Sequence, residues 1–249
     1  MSAKVEYVLR FGDNSLILGQ RLAEWLGHAP VLEEDIASAN ISLDLIGQAR
    51  LWLTLAGRIE GKGRDEDRLA YHREQQDFRN FTLLELPNGD YAYTVVRRFL
   101  FDAWHCLALD ALSGSHDTDI AAIAAKSRKE AEYHRLHSGD WLVRLGDGTG
   151  ESHARTQAAL ELQWRYTAEF FDSDAVDAEM AESGAGFAAA SLRDEWLEEV
   201  TTVLAEATLK VPAAAKFVSH GKRGRHSEHL SRLLAEMQVL QRTHPGAKW

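Results

Sequence analysis

A single cysteine, Cys106, excludes an intramolecular disulfide framework and a cysteine-rich zinc site, and it fits a reducing compartment. Only four prolines occur in 249 residues, and no stretch alternates apolar and polar with period two for more than a few positions, so a β-rich fold is excluded. No apolar run reaches the roughly 18 residues a membrane helix needs, and the opening MSAKVEYVLRFGDN holds no unbroken apolar stretch. A soluble cytoplasmic protein is therefore expected. Basic residues are outnumbered, 28 against 38 acidic, for a formal net charge of −10, which removes nucleic acid and anionic membrane as general partners. Gly-x-Gly-x-x-Gly after a strand, a Walker loop and a Gly-x-Ser-x-Gly elbow are all missing. Nucleotide-fold and nucleophilic-hydrolase chemistry have no foothold.

What is present is helix-forming sequence, 45% hydrophobic and enough to core one compact domain over residues 1–249. The spacing predicts an all-α chain. A first helix over 5–27 sets Val5, Leu9, Gly12, Leu16, Gly19 and Ala23 on one face, its small residues inviting a close neighbour. Pro30 suits the first turn of a second helix running to about 60, striped by Ile41, Leu45, Gln48, Trp52, Leu55 and Ile59. Residues 61–90 read as a crossover holding a helix over 68–86. A third long helix, 91–113, is striped by Val95, Phe99, Asp102, Cys106, Leu109 and Leu112. A fourth, 117–145, carries Ile120, Ala124, Ser127, Ala131, His134, Ser138, Trp141 and Leu145. Two helical hairpins joined by a long crossover is the connectivity of a ferritin-like four-helix bundle. Additional C-terminal helices follow at 151–171, from a cap at Asp172 or Ser173 to 182, at 191–209 and at 227–242, the last capped by Ser227.

Gln48, Asp102 and His134 are polar positions in the middle of otherwise apolar stripes. Buried polar groups need partners, so Asp102 and His134 are expected within hydrogen-bonding reach of each other, directly or through one water, with Gln48 able to join them. The alternative is a metal site. A carboxylate-bridged di-metal bundle places Glu-x-x-His on such a face, but the slot here reads Ala131-x-x-His134, and Glu130 and Glu132 are each turned about 100° away. Asp102-x-x-His105 and His226-x-x-His229 also have chelating spacing, against which Ser227 reads better as a helix cap. His153, His220, His226 and His229 fall in or beside loops and are expected in solvent. Lys216, Lys222, Arg223 and Arg225 make a basic loop within 216–226, read either as a solvated surface or as a contact for phosphate or an acidic partner.

Several segments together resemble one family: Leu9-Arg10-Phe11-Gly12-Asp13-Asn14, Gly27-His28-Ala29-Pro30, Leu43-Asp44-Leu45-Ile46-Gly47-Gln48-Ala49-Arg50, Leu86-Pro87-Asn88-Gly89, Asp102-Ala103-Trp104-His105 and Leu234-Ala235-Glu236-Met237-Gln238. They are similar to the C-subunit family of bacterial ring-1,2-phenylacetyl-CoA epoxidases, from about residue 5 to Trp249. The resemblance implies a ferritin-like, non-catalytic structural subunit that partners a homologous catalytic A subunit and other subunits of the complex in phenylacetate catabolism. It implies di-iron in that partner and no cofactor on this chain. The catalytic relative's ligand pattern falls here on Leu16, Leu45, Gln48, Asp102, Ala131 and His134, of which two keep a ligand type. The family further implies contact with the CoA ester through Asp77, Phe78, Arg79 and Asn80 and through Ala178, Glu179 and Met180. Two other readings are a ferritin-like di-metal oxygenase or oxidase in its own right and a free-standing acyl-CoA binding module.

Overall fold

The computed structural model describes residues 2–214 and 217–247, and among these it contains eleven α-helices and no strand, only an isolated bridge between His220 and Arg225. The chain gathers into two compact units, Met1–Pro87 with Ser219–Trp249, and Asn88–Val218.

The first unit is built on α1 (Ala3–Ala23) and α2 (Leu32–Glu60). Their approach depends on the small residues of α1: a Cβ at Gly12 would stand 2.8 Å from Leu53 Cδ2, and one at Gly19 would meet Ile46 and the Ser42 carbonyl within about 3.3 Å. The Ser42 hydroxyl donates to the Gly19 carbonyl across the same contact, 2.8 Å. Phe11 packs on Trp52, and the α2 stripe from Ile41 to Leu55 is buried, Gln48 included. α1 ends four residues earlier than the periodicity suggests: Trp25, Leu26 and His28 bond the carbonyls three residues back, and Gly27 takes a left-handed φ of 83° and gives its N–H to Asp35 Oδ1 at 2.7 Å. Pro30 lies outside α2, which starts at Leu32 behind an extended Val31.

The helix expected over 68–86 is instead three short pieces: α3 (Glu66–Tyr71), a 3-10 turn (Gln75–Asp77) and α4 (Thr82–Glu85). Two buried side chains of α1 hold open the second break, between the 3-10 turn and α4. Asp13 Oδ2 accepts the Arg79 N–H at 2.8 Å, and Asn14 Oδ1 accepts the Phe81 N–H at 2.7 Å, so these donors are satisfied outside a helix and the chain between them stays extended.

The second unit pairs α5 (Tyr91–Ser113) with α6 (Thr118–Gly146). Asp90 and Asp117 cap them, each accepting backbone N–H groups. The α6 stripe is buried from Ile120 to Ser138; beyond that burial moves to Gly139 and Leu142, leaving Trp141 and Leu145 half-buried, as 3.6 residues per turn drifts from a fixed stripe. The helix expected over 151–171 divides into α7 (Gly150–Trp164) and α8 (Ala168–Phe171). Asp174, in place of Asp172 or Ser173, caps α9 (Ala175–Glu182), with Asp177 completing a capping box. α10 (Arg193–Glu206) begins behind a 3-10 turn and stops before Thr208, whose φ is 58°. Trp196 anchors α10 by donating its Nε1–H to the Leu100 carbonyl, 3.0 Å, within a cluster of Trp164, Phe170 and Phe171.

The last helix, α11 (Glu228–Thr243), belongs to the first unit and is capped by Ser227, as its sequence signals.

Candidate functional site

In the second unit, Arg98 and Asp102 stand one turn apart on α5, His105 one turn further, and His134 and Ser138 occupy the buried stripe of α6. All five are almost fully buried. The carboxylate of Asp102 lies 3.8 Å from the Arg98 guanidinium and accepts from the Ser138 hydroxyl. The charge partner the structure gives Asp102 is thus an arginine one turn away on its own helix, which the polar stripes alone do not indicate. Arg98 also reaches His137, 3.4 Å from Nδ1.

Burial pushes the Asp102 carboxyl up to about 6, held back by Arg98 and by the Ser138 hydrogen bond. Burial pushes the His134 imidazole down to about 3, aided by Arg98 and His137, and does the same to His105, aided by His134. Phe101 stacks on His105 at 4.9 Å between ring centres. Near neutral pH the cluster thus holds one carboxylate, one guanidinium and two neutral imidazoles.

A metal ion would have to enter beside a fixed cation. Of the six positions that the family pattern assigns to di-iron ligands, Leu16, Leu45 and Ala131 are buried hydrocarbon and Gln48 is a buried amide. Asp102, one of the two retained ligand types, already faces Arg98. Among the described residues no three His, Cys, Asp or Glu side chains are grouped to hold a metal ion. The donor set does not fit a di-iron centre.

Polar chemistry in the first unit was less visible in the sequence. Asp13, fully buried, takes both terminal nitrogens of Arg73 in a bidentate pair as well as the Arg79 N–H, and Arg73 lies 4.2 Å over the Phe78 ring. Arg79 also donates to Glu6 and to the Gln76 and Phe78 carbonyls. Of the segment read as a CoA contact, Phe78 and Asn80 are buried, Asp77 is exposed and Arg79 is half-buried. Of the other segment, in the second unit, Ala178 and Glu179 are exposed and Met180 is buried. The cue to the Asp13–Arg73 pair lies in α1, which carries Arg10, Asp13, Asn14 and Ser15 on a helix buried nearly all round, so these groups had to find partners.

His226 is not solvated. Its side chain is fully buried against that of Glu85, whereas His153, His220 and His229 are half-buried. The basic loop is docked too: Lys222 is buried in a 3-10 turn (Gly221–Arg223), the Gly221 N–H bonds Thr82 Oγ1, and of its described basic residues Arg223 and Arg225 face solvent. Lys216 lies outside the described residues.

No helix among the described residues is long and apolar enough to cross a membrane. Along α2, however, Leu32, Ile36 and Leu43 are 70, 54 and 65% exposed and recur on one face with Asn40, Gly47 and Arg50.

Comparison with known proteins gives a match over the whole chain, residues 1–249, to the family described as phenylacetic acid catabolic protein. The chain is 48% identical, over all 249 residues and the full length of both sequences, to the protein named as the C subunit of 1,2-phenylacetyl-CoA epoxidase of Escherichia coli (strain K12).

Proposed function

The chain belongs to the phenylacetic acid catabolic protein family, and from that premise we propose that it is the non-catalytic structural subunit of a phenylacetyl-CoA ring 1,2-epoxidase, stabilising a homologous catalytic subunit that carries the iron. The observation that carries the non-catalytic half is the Arg98 guanidinium beside Asp102, together with hydrocarbon at Leu16, Leu45 and Ala131. A centre that must gather several carboxylates around two cations gains nothing from a guanidinium in its ligand slot.

The assembly half is supported by full-length identity to a protein whose printed name is that of one component of an epoxidase, and by the uncovered apolar face of α2. Monomeric proteins seldom leave a helix with Leu32, Ile36 and Leu43 in water, whereas in a complex such a face is covered on assembly. A ferritin-like bundle is the architecture this reading adopts, supported by two pairs of long helices, α1 with α2 and α5 with α6, with residues 61–90 between them. Contact with a CoA ester is carried for each segment by itself: Asp77 and Arg79 are the accessible residues of the first and Ala178 and Glu179 of the second, the two carboxylates acting through backbone or by position because they repel phosphate.

Co-expression with the catalytic homologue and mass measurement of the purified complex test the assembly. The two chains are expected to co-purify, and Leu43→Glu, at an exposed position, is expected to release the partner while leaving the unfolding transition of the isolated chain within about 0.5 kcal/mol of its original value. A catalytic homologue that stays soluble and active without this chain contradicts the proposal.

A further inference from the structure

His226 and Glu85 meet out of solvent although 141 residues separate them in sequence. Each ring nitrogen faces an acceptor: Nδ1 is 2.7 Å from Glu85 Oε2, and Nε2 is 3.0 Å from the Phe78 carbonyl oxygen. A carbonyl only accepts, so Nε2 must carry a hydrogen. Glu85 in turn receives the Asn80 side-chain N–H on Oε2 at 3.0 Å and the Ser227 backbone N–H on Oε1 at 2.5 Å. Both oxygens of the carboxylate thus act as acceptors, and Nδ1, facing Oε2, donates as well. The ring is then an imidazolium.

The surrounding charges agree. Burial opposes a charge on His226, but the Glu85 hydrogen bond and charge, the Phe78 carbonyl and the more distant Asp13 carboxylate outweigh it, and the pKa is raised above its ordinary value. Asp13, on α1, is paired with the Arg73 guanidinium and also accepts the Arg79 backbone N–H. Arg21, also on α1, donates to the Glu85 carbonyl oxygen at 2.6 Å and to that of His229 at 3.5 Å. From the same segment as His226, Lys222 is buried and Arg225 exposed.

The same carboxylate holds both His226 and the N-cap residue of α11, so one anion fixes the entry to the last helix. Two of the neighbouring attachments are neutral, Gly221 N–H to Thr82 Oγ1 at 3.2 Å and Gln75 Nε2–H to the Ser227 carbonyl at 3.0 Å, and the Arg21 guanidinium adds bonds that do not titrate near neutral pH. We propose that the Glu85–His226 ion pair is a pH-sensitive latch, seating residues 219–227 and the start of α11 on residues 78–85 while the imidazole is protonated and releasing them when it is not.

A group whose pKa is raised by folding contributes stability that is complete below its unfolded value, near 6.5, and is lost as pH rises through the folded value. The direction is testable on the full chain by NMR of histidines labelled with nitrogen-15, with hydrogen exchange on the same preparation from about pH 6 to 9. At neutral pH both ring nitrogens of His226 are expected to be protonated. After correction for intrinsic base catalysis, the opening equilibrium of amides 219–230 is expected to rise by up to about tenfold per pH unit between the unfolded and folded values, then level. In His226→Gln, whose amide can donate to Glu85 without titrating, that excess pH dependence should vanish. A neutral Nε2–H imidazole at pH 7, or an excess that survives in His226→Gln, overturns the proposal. If the variant does not fold, the nitrogen-15 titration of the unaltered chain decides alone.

Discussion

Replacing Asp13 with alanine should damage the first unit more than any surface substitution. The carboxylate is fully buried and receives three bonds, two from the Arg73 guanidinium and one from the Arg79 N–H, while the Arg73 side chain is itself about 2% exposed. Removing it strands a buried cation and a backbone donor, a loss of about 3–5 kcal/mol. In a chain of this length each kcal/mol moves Tm by about 2–4 °C, so a drop of about 6–20 °C is expected in the transition that exposes α1. Amide exchange over residues 73–86 should quicken with it, because Asp13 also holds the extended segment before α4. The paired change of Asp13 to Leu with Arg73 to Met should cost clearly less than the sum of the single changes, since no charge is left buried. A loss for Asp13→Ala below about 1 kcal/mol, the range of an exposed ion pair, or strict additivity in the double variant, would refute the reasoning.

The second unit should show a pH signature of its own. Between about pH 4 and 6 the folded form holds a proton on Asp102 that the unfolded chain has released, while the unfolded chain holds two on His105 and His134 that the folded form rejects. From these three groups stability therefore rises with pH by about 1.4 kcal/mol per unit, and Asp102→Asn should raise that slope to about 2.7; an unchanged slope in urea titrations would contradict the assignment. The glycines of α1 and α2 should respond unequally. A Cβ on Gly57 would run into the Arg64 carbonyl oxygen, which is backbone, whereas one on Gly12 meets the end of the Leu53 side chain, which can move. Gly57→Ala should thus cost about 1–3 kcal/mol in denaturant unfolding and Gly12→Ala measurably less.

The parts of the fold legible in the sequence were those set by local chemistry. Tyr91–Ser113 is bounded as periodicity and the Asn88-Gly89 turn indicate, Ser227 caps the last helix, and Gly12 and Gly19 mark where α2 approaches α1. What escaped was decided by partners distant in sequence. Residues 68–86 have the spacing of a helix, but Asp13 and Asn14 capture their backbone donors from some 66 residues away. His226 reads as a loop histidine until Glu85, far upstream, closes over it. The helical stripes place Asp102 and His134 in the core, where polar matching alone sets them beside each other. Only the side-chain geometry shows that Arg98, on the same helix as Asp102 and equally buried, is the carboxylate's charge partner. A buried arginine one turn away was a readable cue, since its charge must be met in the core.

In the proposed role this chain supports an iron enzyme without holding iron itself, and metal analysis of the purified chain decides between that role and a metal site. Isolated after expression in iron-replete medium, it should contain far less than one iron per chain, and Asp102→Ala and His134→Ala should leave that content unchanged. Stoichiometric iron that is lost in either variant would show that the buried cluster of Asp102 and His134 is a metal site after all.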